Sequence, residues 1–151
     1  MAKRRFIYIP EASTLLQEKF VNYIMRRGKK TIARNIFRET LEEIKKKGSK
    51  DPGQVFERAI ENVKPAMEVR PKRIGGAVYQ IPIEVKPSRQ LMLSFRWVME
   101  AAKAKKGAKM AIKLAQELMD AANQTGSAIK KKEDAHKMAQ ANKAFAHLAR
   151  Y

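Results

Sequence analysis

The sequence predicts a mainly α single domain of six helices, with a two-stranded β-ribbon protruding between the third and the fourth. Three observations carry that prediction. Apolar residues recur at three- and four-residue spacing through most of the chain. Glycine or proline interrupts that period at Gly28, Gly48, Pro65 and Gly107, intervals of ordinary helix length. One stretch, MEVRPKRIGGAVYQIPIEVKP at 67–87, abandons the helical period and carries a Gly-Gly pair at its centre. With 151 residues, 44% of them hydrophobic, the chain can bury one core, and no repeat or low-complexity linker divides it. Residues 1–151 therefore read as one domain, with a basic tail at 1–16 and the ribbon arm at 67–87.

In chain order, the first helix runs from about Gln17 to Met25. Phe20, Val21, Ile24 and Met25 fall on one side of it, and Gly28 can supply the left-handed residue that ends it. The second runs from about Lys30 to Lys47 with Ile32, Ala33, Ile36, Phe37, Leu41 and Ile44 inward, and Gly48 ends it. Asp51 caps the third and Pro52 takes its first position, where a missing N–H costs nothing; Val55, Phe56, Ala59, Ile60 and Val63 are its buried side. Ser88 caps a fourth through about Ala104, burying Leu91, Phe95, Val98, Met99 and Ala102. The fifth, through about Asn123, uses Met110, Ala111, Leu114, Leu118 and Ala121. The sixth starts near Glu133 and uses Met138, Ala141, Phe145 and Leu148.

Gly75-Gly76 sets the ribbon's register, because both central residues of a tight primed turn need positive φ. Folding there makes Ile74–Ala77, Lys72–Tyr79 and Arg70–Ile81 the hydrogen-bonded pairs. Pro71–Gln80 and Val69–Pro82 are then the alternate pairs, whose backbone groups point outward. Both prolines thus fall where no internal bond is lost and where they bar a third strand from docking. An isolated hairpin is marginal in water, so this one requires support from the helices or from a ligand. Arg70, Lys72 and Arg73 near the tip, with Tyr79 beside them and Lys86 and Arg89 at the base, describe an arm that reaches for an anion.

Thirty-three Lys and Arg against fifteen Asp and Glu leave a formal charge of +18, a surplus that a polyanionic partner relieves. Lys30, Arg34, Arg38 and Lys45 share an arc of the second helix, and Arg89, Arg96 and Lys103 recur at heptad spacing along the fourth. Lysines that end helices, such as Lys45 to Lys47, merely complement the macrodipole. Lys29 and Lys30 begin a helix and Lys130, Lys131 and Lys132 precede one, where a cation is unfavourable by roughly 0.3–1 kcal/mol. Cations at that end suggest phosphate held between them and the free N–H groups.

Catalytic and ligand-binding patterns are missing. The chain has no cysteine, which excludes thiolate catalysis, thiolate zinc sites and disulfides. His136 and His147 stand about 16 Å of helical rise apart and cannot share a metal ion. Glu42 with Glu43 and Glu133 with Asp134 are sequence neighbours, which diverge on a helix and cannot face each other as acid and base. RRGKKT lacks the earlier glycine of a phosphate loop. No enzyme activity, cofactor or small-molecule substrate is expected. The apolar run Phe6–Ile9 is too short for a secretory signal, no window is long and apolar enough for a membrane span, and no membrane association is expected.

The runs VKPAMEVRPKRIGGAVYQIPIEVKPSRQ (63–90), MRRGKK (from Met25), LAQELMDAA (from Leu114) and KKKEDAHKMAQANKAFAH (from Lys130) closely resemble the universal small-subunit ribosomal protein seven family, in its bacterial or organellar form. The resemblance implies a primary binder of the 3′ major domain of small-subunit ribosomal RNA that nucleates assembly of the subunit head. It implies neighbours too: transfer RNA in the exit site, messenger RNA nearby, and small-subunit proteins nine and eleven. The implied location is the ribosome, in the cytoplasm or in an organellar matrix or stroma. By position, Lys3, Arg4, Arg5, Arg26, Arg27, Lys29, Lys30, Arg34, Arg70, Lys72, Arg73, Tyr79, Lys86, Arg89 and Arg96 are the expected ribosomal RNA contacts. The tip Gly75–Gly76, with Lys130, Lys131, Lys132 and His147, is expected nearest transfer RNA. Pro71 departs from the small polar residue usual in the family, and the register above makes it harmless. The alternative reading is a basic protein that coats nucleic acid or an anionic membrane without specificity. It leaves the twin-proline ribbon and the lysines at helix starts unexplained.

Overall fold

The structure, a computed structural model, describes residues 8–150. Lys3, Arg4 and Arg5 lie outside the described residues. The elements are α1 (Leu15–Ile24), α2 (Lys30–Lys46), α3 (Pro52–Val63), β1 (Met67–Ile74), β2 (Ala77–Glu84), α4 (Pro87–Ala104), α5 (Met110–Ala122) and α6 (Ser127–Ala141), then a 3-10 segment (Lys143–Arg150). The mainly α fold with its ribbon between α3 and α4 is as the sequence predicts, with that closing 3-10 segment in addition.

Local chemistry explains the helix starts. Thr14 and Gln17 form a reciprocal capping box at α1, each side chain accepting the other's backbone N–H at 3.3 Å. Asp51 accepts the Gln54 N–H at 3.1 Å and Pro52 opens α3. At α4 the cap position falls on Lys86 and Pro87 takes the first helical position. Ser88 is therefore already inside the helix rather than capping it, because proline's fixed φ suits the first turn.

The core is built around four phenylalanines. The Phe20 ring lies 5.8 Å from Phe37, 5.2 Å from Phe56 and 5.1 Å from Phe95, mostly edge to face, so one residue of α1 joins α2, α3 and α4. Helix α5 packs against all three of those helices, and its Leu114, Ala115, Leu118 and Ala121 are fully buried. Alanines on this helix let its neighbours approach closely. Ile32 is a correction: it faces solvent, since Ala33, Phe37, Thr40 and Ile44 define the buried side of α2.

Helix α6 differs most from expectation. It begins at Ser127, six residues before Glu133, and it ends at Ala141, so Phe145 and Leu148 belong to the 3-10 segment. Ala128, Ile129 and Ala139 are its buried residues, and Met138 is exposed. The early start has a tertiary cause. Glu117 of α5 is fully buried; its Oε1 accepts the Ala128 N–H at 2.9 Å and its Oε2 lies 3.0 Å from Lys105 Nζ. A carboxylate from another helix thus does the work of a cap. Gly126, at φ 92°, makes the approach possible: a Cβ there would stand 3.0 Å from Asp120 Cβ and 3.1 Å from Glu117 Oε1.

The ribbon has the predicted register, Val69 opposite Pro82, Pro71 opposite Gln80, Lys72 opposite Tyr79 and Ile74 opposite Ala77. Gly75 and Gly76 have φ 58° and 88°, as a primed turn requires. Its support is now visible. Ile81 and Val85 are buried, the Ala66 N–H donates to His136 Nε2 at 3.0 Å, and Tyr79 packs on Phe145 with ring centroids 5.4 Å apart. The base is docked on α6, the 3-10 segment packs farther out against Tyr79, and the turn at the tip is exposed.

Candidate nucleic-acid interface

The α1–α2 turn presents the densest group of uncommitted cations. Arg26, Arg27 and Lys29 are exposed, and none pairs with a carboxylate among the described residues. Arg27 is held at φ 53° and Gly28 at φ 72°, two consecutive left-handed residues that reverse the chain tightly enough to splay the side chains outward. Lys29 then stands at the cap position of α2 without a side-chain hydrogen bond, and no acidic residue occupies the first turn. Lys86 and Lys109 stand at the same position of α4 and α5, also without a capping bond. Sequence reading missed Lys109; with the true helix boundary, its place before Met110 is the signal.

Farther along α2, Lys30 and Arg34 turn inward to Glu18. Arg34 Nη2 lies 2.9 Å and Lys30 Nζ 3.8 Å from the same Glu18 oxygen, and that side chain is 3% exposed. Arg34 also lies under the Tyr8 ring, 5.6 Å from its centroid. The basic arc of α2 is therefore partly spent on holding α1 and the N-terminal segment. Arg38 stays at the surface beside Glu42, and Arg96 is exposed on α4.

On the ribbon the expected contacts divide. Arg73 is exposed at the tip. The directly paired Lys72 and Tyr79 share a face, and both meet the 3-10 segment: Lys72 Nζ approaches the Leu148 carbonyl at 3.5 Å, and Tyr79 meets Phe145. Arg70 and Arg89 converge on Glu68, with Arg70 Nη2 and Arg89 Nε each 2.8 Å from Oε1. Burial alone would raise the Glu68 carboxyl, but the hydrogen bonds from Arg89 and Arg70 outweigh it and hold its pKa below the ordinary value. A carboxyl lowered in the folded state stabilises the fold above its unfolded pKa, and that contribution is lost as pH falls through the folded value. Melting temperatures of the wild type and Glu68→Gln should therefore differ at neutral pH and converge as pH drops below about 4. A gap that stays constant as pH falls well below that value would show that the ion pairs do not anchor the ribbon base.

The lysines expected to precede a helix are a correction. Lys130 to Lys132 lie inside α6, beyond its first three residues, and the helix start is served by Glu117. Lys131 pairs with Glu100, and Lys132 donates to the Asn62 carbonyl at 2.7 Å, which leaves Lys130 pointing to solvent. His147 is exposed, its Nδ1 3.0 Å from the Ala144 carbonyl, whereas burial, with Lys132 nearby, lowers the pKa of His136 and keeps it a neutral acceptor for Ala66. Sequence reading also missed Tyr23, which sits with Lys19 and Asn22 on the outer face of α1. Their spacing of three and four residues is the signal that could have found them.

Among the described residues no group of His, Cys, Asp or Glu is arranged to hold a metal ion, and no helix is long and apolar enough to cross a membrane. What the surface offers is exposed arginine and lysine on rigid helix ends and a ribbon tip. The family described as ribosomal protein S7p/S5e matches residues 1–143. The chain is 56% identical over 138 residues to the small ribosomal subunit protein uS7 of Thermotoga neapolitana, covering 91% of this chain and 89% of that one. It is 53% identical over 145 residues to the protein of the same name from Thermotoga maritima, covering 96% and 94%. With that from Solidesulfovibrio magneticus the identity is 49% over 147 residues, covering 97% and 94%.

Proposed function

This chain belongs to the ribosomal protein S7p/S5e family, and from that premise we propose that it is a primary binder of small-subunit ribosomal RNA. Its role is structural rather than enzymatic, as a constituent of the small ribosomal subunit. It joins the 3′ major domain and nucleates assembly of the head. The observation that carries this reading is the exposed turn Arg26–Arg27–Gly28–Lys29, rigidly set between two core helices with no carboxylate partner among the described residues.

The mechanism is binding energy. Arg26, Arg27 and Lys29 at the head of α2, Lys86 at the head of α4, Arg73 at the ribbon tip and Arg96 on α4 neutralise phosphates of separate RNA segments and hold them at fixed spacing. Lys72 and Tyr79 join them at the ribbon's outer end. Arg34, Arg70 and Arg89 are the inner members, committed first to Glu18 and Glu68. RNA is read through shape and backbone rather than base sequence over most of this surface. The tip at Gly75 and Gly76, the exposed Lys130 and His147 and the partly engaged Lys131 and Lys132 form the end nearest transfer RNA in the exit site, with messenger RNA and small-subunit proteins nine and eleven close by.

The test is a competition titration on a small-subunit RNA fragment spanning the head junction, against duplex DNA, at two salt concentrations. Preference for the junction that survives the higher salt is expected. Equal affinities that collapse together would mean that only the charge of +18 is at work. Lys72→Ala with Arg73→Ala should lower the salt slope by up to about 2. It should barely move the melting temperature, since Arg73 is exposed and Lys72 has a single long approach to Leu148. Unchanged binding would remove the arm from the interface.

A further inference from the structure

A groove of about 250 Å³ runs between α1 and the first turns of α4. Lys19, Asn22 and Tyr23 form one wall and Ser88, Leu91 and Met92 the other, with the buried Phe95 as its floor. The Tyr23 ring stands edge-on to Phe95, centroids 5.3 Å apart at 65°, and stays 38% exposed. Its orientation is thus fixed by a core residue while part of its surface faces the groove, so it needs no ordering to receive a flat partner. Among the described residues the lining contains no carboxylate, whereas four other grooves on this surface each contain at least one. Arg26 follows Tyr23 by three residues, and Lys86, the cap residue of α4, stands two residues before Ser88.

We propose that this groove takes a single unstacked nucleotide of RNA: its base stacks on Tyr23, its edge meets the Asn22 amide, and its flanking phosphates lie at Lys19 and Lys86. The inference rests on the RNA-binding reading above and adds a base-recognising site to a surface that otherwise reads backbone. Charge complementarity favours this occupant. A polyanionic strand suits two lysines and an arginine with no opposing carboxylate, and an aromatic face beside an amide is the combination that holds a splayed base. A lone amide can donate to and accept from one base edge, so Asn22 offers discrimination that a lysine cannot.

The experiment titrates the full chain on the head-junction RNA fragment. Tyr23→Leu keeps apolar bulk but loses the ring, and should bind about tenfold more weakly with an unchanged salt slope. Tyr23→Phe should bind within about twofold of wild type, because stacking uses the ring and not the hydroxyl. Wild-type affinity in Tyr23→Leu, or equal losses in both variants, would overturn the proposal. Should Tyr23→Leu fail to fold, photo-cross-linking of the wild-type protein to junction RNA carrying 4-thiouridine decides. A cross-linked nucleotide on the Lys19–Arg26 segment is expected, and cross-links that fall only on other segments of the chain would overturn it. Loss of junction preference by the wild type itself would instead sink the RNA-binding reading.

Discussion

Replacing Arg26, Arg27, Lys29 and Lys30 together by alanine is expected to lower the salt slope of RNA binding by about 3, since each phosphate contact releases close to one counterion. Counterion release contributes nothing near 1 M salt, so the same change makes binding roughly a thousandfold weaker at about 0.1 M. The fold should survive. Three of the four side chains have no carboxylate partner among the described residues, and Glu18, which loses Lys30 at 3.8 Å, keeps Arg34 at 2.9 Å. Circular dichroism and a melting curve check that point, and titrations at several salt concentrations check the slope. A slope within about 0.5 of wild type would mean that the turn faces away from the RNA.

Phe20→Ala should cost about 3–5 kcal/mol, a large part of the roughly 5–15 kcal/mol that holds a domain of this size. Phe20 is fully buried and touches three other phenylalanine rings from three helices, so the cavity cannot close without moving all of them. Urea denaturation should show a lower midpoint at unchanged slope. RNA affinity should fall with it, because α1 carries the turn and Tyr23. A loss below about 1 kcal/mol would show that the helices repack around the gap.

The parts legible in the sequence are those fixed by local chemistry. Asp51 and Pro52 marked the start of α3, Gly75-Gly76 fixed the register of every ribbon pair, and the periodic positions Phe20, Phe37, Phe56, Phe95, Leu114 and Leu118 are all core residues. The start of α6 was not legible, because its cap comes from Glu117 across a turn at Gly126. Nor did periodicity separate α6 from the 3-10 segment, since Phe145 and Leu148 continue a three-residue spacing that both helix types share. At the interface, the positions of exposed cations could be read. Which of them were already paired could not, because Glu18 and Glu68 meet Arg34 and Arg89 only after the chain has folded.

The ribbon's support also sets a timetable for synthesis. The ribbon is complete at Glu84, whereas Phe145, which packs on Tyr79, is added roughly 60 residues later, a delay of about 3 to 12 s at ordinary rates of elongation. His136 arrives only shortly before. For that interval the two strands have emerged without the surface that steadies them, in a crowded place where neighbouring nascent chains offer strands of their own. Pro71 and Pro82 then act as guards of a half-made product: they deny those strangers the backbone N–H groups a new ladder needs, until the 3-10 segment arrives to pack on Tyr79.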